Sequence, residues 1–105
     1  MTDVRVLLCT APVEGAPAIA RAILERKLAA CVNILPGARS LYWWDGSIQD
    51  DAESLLVIKT TADAVDALIA ALPDIHPYDT PELISLPVES GHAPYLAWVR
   101  AARGT

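Results

Sequence analysis

Two runs of the chain, "RVLLC" at residues 5–9 and "LLVIK" at 55–59, each carry four consecutive apolar positions. Both are rich in the aliphatic and β-branched side chains that favour strands. Successive side chains of a strand point to opposite faces, so an unbroken apolar run calls for cover on both faces of a sheet. Either the chain's own helices supply that cover or another molecule does.

The rest of the pattern shows how little cover the chain can supply itself. A first strand is expected over residues 3–11, after which Pro12, Gly15 and Pro17 punctuate a turn. "APAIARAILERKL" carries Ile19, Ala20, Ile23, Leu24 and Leu28 at helical spacing. Glu14 ahead of it and Arg26 and Lys27 near its end suit the helix dipole. A second strand is expected from about 31 to 44, bent at Pro36-Gly37, and a third from about 47 to 61. Between them Asp45-Gly46 is a strong hairpin signal. Asp50, Asp51 and Glu53 fall in the first half of the third strand and predict that this half faces solvent. Val65, Leu68, Ile69, Leu72 and Ile75 make one stripe of a second helix, interrupted late by Pro73. "PELISLPVESG" reads as a fourth strand, and "APYLAWVRAA" as a short final helix with Leu96, Val99 and Ala102 on one side.

The order β-α-β-β-α-β-α is the split βαβ arrangement of an α+β, ferredoxin-like sheet with an additional C-terminal helix, in a single domain of 105 residues. Two helices cover only one face of four strands. The economical cover for the other face is a second copy of the same chain. Composition agrees, because a hydrophobic fraction of 53% is more than one small domain readily hides. The aromatics are Tyr42, Trp43, Trp44, Tyr78, Tyr95 and Trp98, with no phenylalanine. Each has a polar handle, which suits subunit packing or a cleft at its edge.

The net charge of -5 leaves no electrostatic footprint for nucleic acid or an anionic membrane, and fits cations better. No segment approaches the roughly 20 apolar residues of a membrane span, and the N-terminus does not read as a signal peptide. The expectation is a cytoplasmic protein with Cys9 and Cys31 as free thiols.

"HPYDTPELISLPV" at 76–88 combines a histidine, a tyrosine and acids between prolines. Much of it is accounted for by corner-building: Pro77 ends helical geometry at His76, Asp79 and Thr80 are turn residues, and Pro81 suits the start of a strand. Building a corner does not require His76, Tyr78 or Glu82. No phosphate loop, nucleophile elbow or HExxH accompanies them, so a binding role is expected rather than catalysis.

"LCTAP" at 8–12, "KLAACVNILPGARSLYWWDGSI" at 27–48, "IKTT" at 58–61, this corner, and "YLAWV" at 95–99 occur in that order. Together they resemble the CutA divalent-cation tolerance family over nearly the whole chain. The resemblance implies a ferredoxin-like homotrimer related in architecture to the PII signalling proteins. It implies links to copper tolerance and copper binding and, in animals, to anchoring of acetylcholinesterase. Carried over by motif, the implied copper ion ligands are Cys9, Cys31 and His76. A further cysteine of some members is absent from the second helix here.

Thiolate and imidazole match copper's preferences, and two or three such ligands leave places for water or a neighbouring chain. Against that, Cys9 and Cys31 also read as small buried hydrophobes of strands. Tyr78, Glu82, Lys59 and Trp44 are the candidates for a ligand cleft between subunits. Lys59 would face a small anionic ligand or pair with Glu82, or simply be a solvated strand tip. His92 reads as an exposed loop residue. Three functions follow as expectations: a metal-binding homotrimer in divalent-cation tolerance, a PII-like sensor of a small anionic metabolite, or a structural or anchoring trimer with no ligand.

Overall fold

The computed structural model describes residues 1–104. Its elements are β1 (Val4–Ala11), α1 (Ala16–Glu25), β2 (Cys31–Trp44), β3 (Ser47–Thr61), a single 3-10 turn (Ala62–Ala64), α2 (Val65–Ile75), β4 (Ile84–Pro87) and α3 (Ala93–Ala102). The strands form one sheet in the order β2-β3-β1-β4, with every neighbouring pair antiparallel. That is the ferredoxin-like α+β sheet expected from the element order, with α3 appended. Among the described residues no helix is long and apolar enough to cross a membrane.

Local chemistry explains the boundaries. Asp45 and Gly46 both take positive φ, 50° and 79°, as a two-residue type I′ hairpin requires. At Pro36-Gly37 the strand is bulged: Leu35 faces Leu55 and Ala38 faces Glu53, so two residues of β2 oppose Ser54 alone. Helix α1 ends earlier than its charges suggested, with Arg26 as C-cap and Lys27 in the left-handed region at φ 59°. Bonds from Lys27 N–H to Leu24 O and from Leu28 N–H to Ile23 O close a Schellman motif, and Leu28 packs on the core beside Ile23. Helix α2 is not stopped by Pro73. It runs to Ile75, because in the last turn the missing proline N–H costs a single bond and His76 N–H still closes on Leu72 O. The fourth strand is shorter than expected, at four residues.

The core lies between the sheet and helices α1 and α2. Leu7, Cys9 and Ala11 of β1 alternate with partners Leu56 and Ile58 of β3 and pack against Ile19, Ile23 and Leu68. The other face carries Val6 and Leu8, opposite Leu86 and Ile84 of β4, and Val57 and Leu55 of β3, opposite Asn33 and Leu35 of β2. It is sealed at one end by Val4 and Thr61, where α3 packs on β1 and β3 with Val99 buried. Elsewhere it is open: Ile84 is 52% and Leu86 44% exposed. The consecutive apolar residues thus have one face covered by the chain and one largely bare.

Beyond Ser54, β1 has ended and the β2-β3 hairpin continues as a two-stranded arm. This is why the molecule measures 44 × 26 × 22 Å and has a radius of gyration of 14.2 Å, against ~13 Å for a compact chain of this size. Isolated two-stranded hairpins are marginal in water. The arm nevertheless presents Leu41, Trp43 and Ile48 to solvent on one side, Trp43 being 72% exposed.

Candidate functional site

Where β1 stops, the arm and the corner after α2 enclose a groove of about 720 Å³ lined by Tyr42, Trp44, Asp51, Glu53, Tyr78 and Glu82, among others. The strand register supplies one wall. Tyr42 pairs with Gln49, Ser40 with Asp51 and Ala38 with Glu53, so their side chains share one side of the arm. The corner supplies the other wall and is anchored by His76.

His76 is 5% exposed, and its ring is fully engaged. Nε2 lies 2.8 Å from Thr10 O, which can only accept, so Nε2 carries the proton and donates. Nδ1 then accepts from Tyr78 N–H at 3.2 Å. The imidazole stacks obliquely on the Tyr78 ring, with centroids 4.7 Å apart. Through these contacts His76 ties the corner to the end of β1 and aims Tyr78 back at the arm.

Tyr78 Oη donates to Glu53 Oε2 at 2.9 Å, and Tyr42 Oη donates to Asp51 Oδ2 at 2.5 Å. Burial, followed by the hydrogen bond to Glu53, pushes the Tyr78 phenol up to about 12, so it remains a donor at neutral pH. Glu53 is the clearest departure from the sequence expectation of a solvent-facing half-strand: it is only 6% exposed. It shares the strand phase of Leu55 and Val57, and Tyr78 closes over it. That phase was its signal, a carboxylate at an apolar-phase position. Asp51, Tyr42 and Thr10, which also line the groove, carried no comparable signal.

Of the residues singled out in the sequence, Tyr78, Glu82 and Trp44 line this groove. Lys59 does not. It lies six residues along β3 from Glu53, about 20 Å in an extended strand, and its ammonium is hydrogen-bonded to Asn33 Oδ1. Cys9 and His76 meet at one carbonyl, with Cys9 Sγ 3.6 Å and His76 Nε2 2.8 Å from Thr10 O, but Cys31 is not brought to them. Cys9 is opposite Leu56 and Cys31 opposite Lys59, three residues further on, so the two thiols point to opposite faces. Cys31 is half-buried on the open face, with Sγ 3.9 Å from Asn33 Oδ1. Among the described residues no three His, Cys, Asp or Glu side chains converge as metal ligands would.

Cys9 is sealed in the core, and burial, with lesser help from Glu82 and Glu53, pushes its thiol up to about 11. The unfolded thiol ionises near 9.0, so between that pH and about 11 the unfolded chain has lost a proton that the folded chain keeps. Stability therefore falls as pH rises through that window, by roughly 2–3 kcal/mol in all. In a Cys31→Ser background, Cys9 should resist iodoacetamide at about pH 8 and react at the rate of unfolding. Mass spectrometry of labelling time courses with and without urea checks this; rapid labelling of the native chain would contradict it.

Comparison with known proteins follows the fold closely. The family model described as "CutA1 divalent ion tolerance protein" matches residues 5–102. The divalent-cation tolerance protein CutA of Pectobacterium atrosepticum is 47% identical over 103 residues, covering 97% of this chain and 94% of its own. The crystal structure of CutA1 from Oryza sativa superposes with a TM-score of 0.90 at 45% identity, covering 94% of this chain and 92% of its own. A PII-like protein CutA from Nostoc sp. PCC 7120 superposes with a TM-score of 0.88 at 29% identity, covering 94% of this chain and 96% of its own. Matched along nearly its whole length in sequence and in structure, the chain belongs to the CutA1 divalent ion tolerance protein family.

Proposed function

We propose that the protein works as a homotrimer that binds ions and small ligands in the service of divalent-cation tolerance, and that it has no catalytic role. The observation that carries the assembly is the bare apolar face: Leu35, Ile84 and Leu86 are exposed beside half-buried Val6, Leu8, Leu55 and Val57. A continuous patch of this kind marks an interaction surface. The sheet's two free edges, β2 and β4, are unlike, which favours head-to-tail contacts that close as a ring. The arm, marginal alone, gains a neighbour in the same step. Three copies is the number that the PII-like architecture implies. Two free thiols on opposite faces of the sheet suit a reducing, cytoplasmic setting.

For the metal we propose copper, held by Cys31 and completed by donors from a neighbouring copy across the open face. Cys31 is the soft donor left accessible, since Cys9 is sealed and His76 has both ring nitrogens engaged. Copper heads the affinity order for such ligands. Competition titrations under reducing conditions should show Cys31→Ser weakening copper binding at least tenfold, with His76→Ala close to wild type per folded chain. Equal affinity in wild type and Cys31→Ser would remove the site.

The groove favours a second reading, a PII-like sensor. Its lining holds Asp51, Glu53, Asp79 and Glu82 against Arg39 alone, and Arg39 is paired in a fork with Asp50. That sign argues against the anionic metabolite expected from the sequence.

A further inference from the structure

We propose that the groove takes an organic cation, a primary ammonium or guanidinium compound, with its charged head against Glu53 and its carbon chain along Trp44 and Tyr42. This deepens the reading of the groove as a ligand site and rests on it.

The argument begins with Glu53. A buried carboxylate is costly unless a countercharge or a full set of hydrogen bonds replaces water. Tyr78 satisfies Oε2 alone. Among the described residues nothing donates to Oε1 and no basic side chain pairs with Glu53. Yet Oε1 is not sealed in protein, because the buried polar atoms without a partner are Ser54 Oγ and Arg103 Nε. Glu53 lines the groove, so its free oxygen meets solvent there.

The surroundings choose the class of cation. Tyr42 and Tyr78 spend their hydroxyl protons on Asp51 and Glu53, which fixes both carboxylates in place and leaves their free oxygens as acceptors. An ammonium or guanidinium brings the donors that these acceptors lack. Trp44 and Tyr42 provide ring faces, which attract cations and cover alkyl stems. A bare divalent ion fits less well, since it needs several converging oxygens and no three acids converge among the described residues. The space, about 720 Å³, is that of a small-molecule site.

The test uses the intact wild-type protein in its native assembly, with four probes at millimolar concentration: n-butylammonium, n-butylguanidinium, butyrate and zinc chloride. Binding is followed by amide chemical shifts around Glu53 and Tyr78. Both organic cations should shift these signals, butyrate should not, and Glu53→Gln, which keeps an acceptor for Tyr78, should weaken the cations at least tenfold. Trp44→Leu should weaken them several-fold without changing the assembly. If butyrate alone binds, the groove is a ligand site but the class is wrong. If zinc binds through Glu53 and the organic cations do not, the site belongs to a metal and the proposal falls. If no probe binds, the groove is not a ligand site and both readings fall.

Discussion

Replacing Ile84 and Leu86 together by glutamate should turn the assembled protein into folded monomers. Both residues are about half exposed in the single chain, and they sit on the short edge strand β4. The fold of one chain should therefore barely register the change, since exposed substitutions rarely move stability by more than about 0.5 kcal/mol. An interface covering the open face would bury two carboxylates per chain among Val6, Leu8 and whatever docks there. The loss of apolar burial and the desolvation of charge together should raise the dissociation constant on the order of a thousandfold or more. Light scattering should report the mass of one chain, 11.2 kDa, while circular dichroism stays native. An unchanged oligomer would place the interface elsewhere. Unfolding of the double variant would be separated from dissociation by the single change Leu86→Glu, which should shift the equilibrium less and leave the fold intact.

His76→Ala should be the most destabilising change at the corner. It deletes two part-buried hydrogen bonds, leaving Tyr78 N–H without its partner and Thr10 O with only the weak contact from the Cys9 thiol. An orphaned buried group costs about 1–3 kcal/mol and the emptied site of the buried imidazole adds to it, so a loss of about 3 kcal/mol per chain is expected. For a domain of this size that corresponds to a melting temperature lower by more than 10 °C, in round numbers. The Tyr78 hydroxyl should lose its hold on Glu53 as well, visible as altered shifts around Glu53. A variant that melts with wild type but no longer binds copper would contradict this and make His76 a ligand.

The element order was legible because periodicity carries it: the two helices, the hairpin at Asp45-Gly46 and the bend at Pro36-Gly37 all have local chemical causes. The need for cover on a second face was legible for the same reason, since it depends only on strand phase. Contacts between distant segments were not. His76 reaches Thr10 across 66 positions, and nothing in "HPY" says that both ring nitrogens will be spent on backbone. Cys9 and Cys31 fall on opposite faces only once the register of β1, β3 and β2 is known. Glu53 was misjudged because its acidic neighbours Asp50 and Asp51 are exposed. Its own phase, two residues before Leu55, is that of the apolar positions on the open face, and Tyr78 covers it there. Pro73 misled because its penalty was read as that of a helix interior, whereas in the last turn it removes one bond.

Native mass spectrometry of the wild-type protein at low micromolar concentration bears most directly on the claim that a second copy covers the open face. A dominant species at three times the 11.2 kDa of one chain is the expected result, with little monomer. A dominant, soluble monomer under those conditions would mean that water tolerates the bare face of Leu35, Ile84 and Leu86, and it would contradict the account.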